Sequence, residues 1–211
     1  MTVRGLAGCR LGRHSTRVLR NVLVGLSLVL LSPLLICIGL VVKFADGGPV
    51  LHIARRMGRY GKTFGLYKFR TMVVDAASVG PGVTGAGDPR VTRVGSFLRR
   101  TKLDELPQLV NVLRGEMELV GPRPEDPRYL GHYTRDQLRV LDVRPGITSP
   151  TSIAYADESQ ILVGQNWEEA YVRGVLPAKL DMELGALHER SFWEEMREVL
   201  RTLRALARRD E

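Results

Sequence analysis

The chain has 211 residues, enough for one domain and an additional segment. Charged residues make up 26% and hydrophobic residues 44%, which excludes a disordered or fibrous chain. The net charge of +8 is uneven: residues 1–70 carry 12 Lys/Arg and one acid, Asp46, while residues 71–211 carry 19 basic and 22 acidic residues. That distribution argues against nucleic-acid binding by the body of the chain and favours contact with anionic lipid near the N-terminus. Cys9 and Cys37 form no Cys-x-x-Cys and no disulfide framework, which fits a reduced, cytoplasmic setting. His14, His52, His132 and His188 lack metal-ligand spacing, against a zinc hydrolase.

Residues 21–42 contain no charge. As a straight helix they extend ~33 Å, enough to cross a bilayer core of about 30 Å. Lys43-Phe44-Ala45-Asp46-Gly47-Gly48-Pro49 follows, which does not read as a signal-peptide cleavage site. Both flanks are basic: Arg4, Arg10, Arg13, Arg17 and Arg20 precede the run, and Lys43, Arg55, Arg56, Arg59 and Lys62 follow it. Lys/Arg-rich flanks stay on the cytoplasmic side, so both ends make the same demand. Ser32-Pro33 stands at the midpoint. Pro33 removes the helical partner of the Val29 carbonyl and bends the helix, and the Ser32 hydroxyl can replace part of the lost bonding. Two readings stand evenly here: a spanning anchor, or a re-entrant helix that enters one leaflet and returns.

Beyond Asp46-Gly47-Gly48-Pro49, a turn, Val50–Ala54 and Phe64–Met72 read as strands joined by a loop at Gly58-Arg59-Tyr60-Gly61-Lys62. Residues 79–89 form a glycine- and proline-rich loop. Its Gly80-Pro81-Gly82-Val83-Thr84-Gly85 matches G-x-G-x-x-G without the strand and helix a dinucleotide site requires. Gly61-Lys62-Thr63 ends like a P-loop, but Arg56 stands where the first glycine belongs. Val91–Arg100 reads as a short helix.

In Thr101–Pro124, Leu106, Leu109, Val110 and Leu113 make a helical apolar stripe. Pro107 is tolerated only in a first turn, which predicts a helix start near Asp104, and Gly115 is a natural C-terminal cap. Asp104 and Glu105 then sit at a helix N-terminus, where a cap is the ordinary role for Asp104 and Glu105 is a first-turn acid. Their adjacency, the nearby Arg90, Arg93, Arg99, Arg100 and Arg123, and the rigid Val120-Gly121-Pro122-Arg123-Pro124 loop also suit a site for a metal and a polyphosphate. An aspartate can serve there as a nucleophile toward phosphorus. Val143-Arg144-Pro145-Gly146-Ile147-Thr148 is a turn with an arginine, read equally well as structural or functional. Residues 166–187 read as helical. The segment 189–209 is an amphipathic helix with Phe192, Met196, Val199, Leu200, Leu203 and Leu206 opposite Arg197, Arg201, Arg204 and Arg208, packed on the domain or lying along a membrane.

The segments KFRTM (68–72), DPRVTRVGSFLRRTKLDELPQLVNVLRGEMELVGPRP (88–124) and VRPGIT (143–148) closely resemble those of the bacterial sugar transferases, the monotopic initiating phosphoglycosyl transferases. The resemblance runs from about residue 15 to 205 and points to the short form of the family. It implies an α/β (α+β) fold: a mostly helical compact domain with a short β-hairpin and amphipathic C-terminal helices. A re-entrant membrane helix, broken at Ser32-Pro33, precedes it. The expected division is a basic segment (1–20), the membrane helix (21–43) and a catalytic domain (44–211) on the cytoplasmic face of the bacterial inner membrane.

The same resemblance implies transfer of a sugar-1-phosphate from a UDP-sugar to undecaprenyl phosphate with release of UMP, initiating polysaccharide or glycoconjugate synthesis. Asp104 matches the nucleophile that forms an aspartyl-phosphosugar, and Glu105 its partner acid, with Mg²⁺ nearby on the two. Arg99 and Arg123 match substrate-binding arginines; Pro124, Arg144, Lys68 and Arg70 fall in the motifs with weaker roles. The chain departs from the pattern at Ser149-Pro150, where glycine is frequent, at Ala54-Arg55 before Arg56-Met57-Gly58, where glutamine is common, and at Glu118, where serine is frequent. The first and third bear on the sugar rather than on the reaction. The competing class is a membrane-attached binding or scaffold protein in which Asp104-Glu105 is only a cap.

Overall fold

A 43-residue helix, α1 (Arg4–Asp46), carries the whole apolar segment in the computed structural model. The structure describes residues 4–76, 80, 82–156, 158–162, 166–188 and 191–207. The side chains of Arg4, Arg10, Arg13, Cys9, His14 and Leu206, loop residues Val79 and Pro81, and Arg208 lie outside the described residues. The expected boundaries at 20 and 43 are not marked by breaks, since α1 runs through both. Nor does it stop at Pro33. The proline costs one backbone bond, and Ser32 Oγ donates to the Val29 carbonyl at 2.7 Å in its place.

From Thr16 to Asp46 the helix is long and apolar enough to cross a membrane. It nevertheless packs on the rest of the chain at two separate places. Val24 is buried against Leu66, Val112 and Met117, and Ile38 and Val42 against Phe69 and Leu98. Val24 and Ile38 lie about 21 Å apart along a straight helix. Between them, Val29 and Leu30 are 73% and 81% exposed. The contacts are reinforced by ion pairs, Arg20 to Glu118 and Arg70 to Asp46.

The expected hairpin is present: β1 (Leu51–Met57) pairs antiparallel with β2 (Thr63–Phe69), from Leu51 opposite Phe69 to Met57 opposite Thr63. Helix α2 (Arg93–Thr101) starts at Thr92, whose hydroxyl accepts from the Gly95 amide at 2.9 Å. Gly95 lies directly on the Thr71 backbone, where a Cβ would come within 1.9 Å of the carbonyl oxygen. Only glycine lets α2 approach the end of the hairpin this closely.

The next helix starts later than its apolar stripe predicts. A 3-10 turn covers Leu103–Glu105, and α3 (Gln108–Leu113) follows Pro107. Pro107 thus precedes the helix instead of sitting inside its first turn. Gly115, at φ +73°, ends it as expected. A second, parallel sheet of two three-residue strands, β3 (Glu118–Val120) and β4 (Gly146–Thr148), was not legible, because such short strands have no readable alternation. The C-terminal part contains α4 (Pro150–Ala154), α5 (Glu158–Ile161), α6 (Trp167–Ala170), α7 (Leu176–Gly185) and α8 (Phe192–Ala207). The expected helix over 166–187 is α6 and α7 joined by a wider π turn, Tyr171–Val175. Pro177 cannot donate to the Arg173 carbonyl, and the wide turn precedes that defect. Tyr129, Val140, Leu162, Tyr171, Leu176 and Leu180 form the core of this part.

Asn111 on α3 is fully buried and acts as a surrogate strand for β2. Its Oδ1 accepts from the Tyr67 amide at 3.1 Å, and its Nδ2 donates to the Gly65 carbonyl at 2.8 Å and to Glu116 at 2.7 Å. Asn111→Ala strands two buried backbone groups and should cost about 3 kcal/mol of stability. Denaturation of the detergent-solubilised variant checks this; an unchanged midpoint refutes it.

Candidate active site

Helix α2 ends at Lys102, a non-glycine residue in left-handed conformation (φ 57°, ψ 14°). The chain then tightens into the 3-10 turn and presents two adjacent carboxylates between α2 and α3. Asp104 is 6% exposed, and its Oδ1 is buried with no hydrogen-bond partner. Asp104 caps no helix: α3 begins after Pro107 without a side-chain cap, and the turn begins at Lys102. The ordinary explanation for an aspartate here is therefore absent.

Glu105 is held from two sides. Lys68 Nζ on β2 donates to its Oε1 at 3.1 Å, and the Arg123 guanidinium reaches Oε1 at 2.8 Å and Oε2 at 3.5 Å. Burial alone would raise the Glu105 carboxyl, but Arg123 and Lys68 outweigh it and hold it well below the usual carboxylate range. Asp104 is shifted the other way. Burial raises it, the Glu105 charge adds to the rise, and Lys68 and Arg99 only partly offset it. Adjacent acids with opposite shifts mark functional sites. Burial lowers both Arg99 and Lys102, which feel the charge of Asp104. Arg99 is oriented by its Nε–H bond to Thr71 Oγ1 at 2.8 Å, and Lys102 donates to the Ala156 carbonyl at 3.2 Å. Four cations, Lys68, Arg99, Lys102 and Arg123, thus surround two carboxylates, an environment suited to a phosphate-bearing anion.

Arg123 owes its place to the second sheet. Gly121 N–H donates to the Thr148 carbonyl at 3.0 Å, and Gly146 N–H to the Pro122 carbonyl at 2.9 Å, so the loop leaves β3 in one direction. Pro124 is buried and shapes this loop. Lys102 was missed by sequence reasoning, which named Arg99 and Asp104 on either side of it; its signal was its place two residues before that aspartate.

The expected site residues Asp104, Glu105, Lys68, Arg99 and Arg123 are brought together. Arg70 and Arg144 are not. Arg70 is 7% exposed and committed to Asp46 and to the Pro49 carbonyl at 2.6 Å, tying the end of α1 to the hairpin. Arg144 bonds Glu118 at 3.0 Å, and Glu118 also pairs with Arg20 near the start of the apolar run. The unusual Glu118 is therefore an anchor for α1. The unusual Ser149 is 1% exposed and bonded to Glu183 at 2.7 Å. Arg55 bonds Thr63 across the hairpin at 3.3 Å.

For a Mg²⁺ ion, which is held by one or two carboxylates together with substrate phosphates and water, the two acids differ. Asp104 offers an oxygen with no protein partner, whereas both Glu105 oxygens face cations. Among the described residues no group of three His, Cys, Asp or Glu is placed to hold a metal. The acid pair fits beside an ion held chiefly by substrate phosphates and water.

Comparison with known proteins bears on the same residues. The chain is 46% identical over 105 residues to a putative undecaprenyl-phosphate N-acetylgalactosaminyl 1-phosphate transferase of Bacillus subtilis, covering 50% of this chain and 58% of that protein. It is 37% identical over 186 residues to the UDP-glucose:undecaprenyl-phosphate glucose-1-phosphate transferase of Escherichia coli, covering 86% of this chain and 38% of that one. It is 36% identical over 178 residues to the exopolysaccharide production protein ExoY of Sinorhizobium fredii, covering 77% and 79%. The chain thus spans little more than half of the first of these relatives and about two fifths of the second. The family model described as bacterial sugar transferase matches residues 12–209, Asp104, Glu105 and Arg123 included, and the chain belongs to the bacterial sugar transferase family.

Proposed function

We propose that this chain transfers a sugar-1-phosphate from a UDP-sugar to undecaprenyl phosphate through a covalent intermediate on Asp104. The observation that carries this is the buried, unpartnered Oδ1 of Asp104 beside a Glu105 already neutralised by Lys68 and Arg123. A carboxylate oxygen kept free of hydrogen bonds is an available nucleophile. Asp104 attacks the phosphorus bearing the sugar. The P–O bond to UMP breaks, and UMP leaves with the electron pair. An oxygen of undecaprenyl phosphate then attacks the same phosphorus, the aspartyl O–P bond breaks, and the carboxylate is restored. Neither displacement requires net proton transfer. Arg99, Lys102 and Arg123 offset the charge of the diphosphate and of the leaving phosphate. Mg²⁺ held on the substrate phosphates beside the acid pair would supply further charge neutralisation. Splitting one displacement into two lets a soluble nucleotide and a membrane-bound phosphate use one site in turn.

The relatives' names support the donor and acceptor classes: the E. coli relative is named for UDP-glucose and undecaprenyl phosphate. We read α1 as re-entrant, with both ends and the catalytic domain on the cytoplasmic side. One domain packs against Val24 and against Ile38 and Val42, while Val29 and Leu30 between them stay bare. A straight spanning helix would place those contacts in opposite leaflets. The basic flanks favour the same side for both ends.

Asp104→Asn should abolish turnover, by about 10⁴-fold or more, and also stabilise the protein. The raised Asp104 carboxyl means that its charged form is disfavoured by folding. The neutral amide therefore raises the thermal midpoint at pH 7, and the gain fades as pH falls through the titration of Asp104. Loss of activity together with a lower midpoint at pH 7 contradicts this assignment. With wild-type protein in nanodiscs, UDP-sugar and Mg²⁺ but no lipid acceptor, a stoichiometric burst of UMP and a sugar-phosphate adduct on Asp104 are expected. Turnover with acceptor but no adduct without it would replace the covalent route with direct transfer. For the helix, single cysteines at Thr16 and Gly47 in a Cys-free background should react with a membrane-impermeant reagent from the same face; labelling from opposite faces makes α1 a spanning helix.

A further inference from the structure

We propose that α7 is a positioning element for the reaction: Lys179 and Glu183 hold the Pro122-Arg123-Pro124-Glu125 segment so that the Arg123 guanidinium stays on Glu105. The inference rests on the role given above to Arg123 and the acid pair. Lys179 and Glu183 are four residues apart on one helical face and are only 4% and 5% exposed. Neighbouring α7 residues Leu176 and Leu180 fill a hydrophobic core. Two buried charges on the same short helix are costly unless they are paired.

Both are paired, and both reach the same loop. Lys179 Nζ donates to Glu125 at 2.8 Å, to Glu158 at 2.8 Å and to the Tyr171 hydroxyl at 3.2 Å. Glu125 lies two residues beyond Arg123. Glu183 Oε1 accepts from the Arg123 backbone amide at 3.2 Å, from Ser149 Oγ at 2.7 Å and from Thr151 Oγ1 at close range.

The bond to the Arg123 amide carries the argument. Prolines have no N–H, so within Pro122-Arg123-Pro124 the Arg123 amide is the one backbone donor. It points to Glu183, not to a strand. The loop is already fixed before it by the Gly121 amide and after it by the Glu125 carbonyl, which accepts from Met57 at 2.9 Å. Glu183 therefore fixes the one backbone unit from which the Arg123 side chain departs. Rigid support of this kind sets how accurately a functional group is aimed. Lys179 and Glu183 bond to Glu125, Glu158, Tyr171, the Arg123 amide, Ser149 and Thr151, so their effect on the acid pair passes through Arg123.

The test uses the full chain in nanodiscs with Glu183→Ala and Glu183→Gln. UMP release with undecaprenyl phosphate and the competent UDP-sugar gives kcat/KM, and hydrogen exchange is followed across 121–126 alongside the thermal midpoint. Glu183→Ala should lower kcat/KM by about 10–100-fold and speed exchange at Arg123 while the core helices stay protected. Glu183→Gln, whose amide oxygen still accepts, should restore most of both. A lower midpoint with unchanged kcat/KM and unchanged Arg123 exchange in Glu183→Ala would make Glu183 merely structural, and equal losses in the two variants would also overturn the proposal. If wild-type protein releases no UMP with any donor, the functional reading fails. Arg123 exchange still decides whether α7 holds the loop: faster in Glu183→Ala alone supports it, unchanged in both refutes it.

Discussion

The ion triad of Lys68, Glu105 and Arg123 joins three stretches of chain at one point. Lys68 comes from the hairpin, Glu105 from the turn between α2 and α3, and Arg123 from the loop leaving the small parallel sheet. Burial favours a protonated Glu105; the two cations reverse that preference. Its fixed negative charge then helps to raise Asp104. The neighbouring carboxyls are thus differentiated by partners, one saturated and the other left bare. Arg99 and Lys102 spend their hydrogen bonds on a hydroxyl and a carbonyl, so their positive charge remains for an anionic substrate.

Helix α1 is fixed to the domain that carries the acid pair by packing along two separate stretches. Arg20 with Glu118 secures its first half, and Asp46 with Arg70 secures its end. Both anchors use residues of the same domain that supplies the acid pair. The distance between the apolar helix and the site is therefore set by packing instead of by a flexible linker.

Much of this was legible in the residues. The Ser32-Pro33 pair specified a hydrogen bond to Val29, and it is formed. The hairpin and the cap at Gly115 also followed from local pattern, whereas Arg99 and Arg123 were singled out from five nearby arginines by the family resemblance. The later start of α3 did not, because an apolar stripe reports a face and not the hydrogen-bonding onset of the helix. The β3–β4 pair was invisible, since its strands are three residues long and its register depends on two glycines in backbone contact. Arg70 and Arg144 lie outside the cluster for a related reason. Motif membership marks an arginine as constrained, and only the fold shows whether the constraint is a ligand or, as for these two, an acid that anchors α1. Glu183 carried no local signal, because its partner lies sixty residues earlier.

Val24, Ile38 and Val42 are not accessories to a finished domain but members of two of its cores, alongside Leu66, Phe69, Leu98, Val112 and Met117. A chain cut after Asp46 would strip part of the cover from those five side chains, so the segment that follows the helix is not a unit independent of it. Seating of α1 and assembly of the domain that carries the acid pair are therefore one packing event, in which neither partner completes its core without the other.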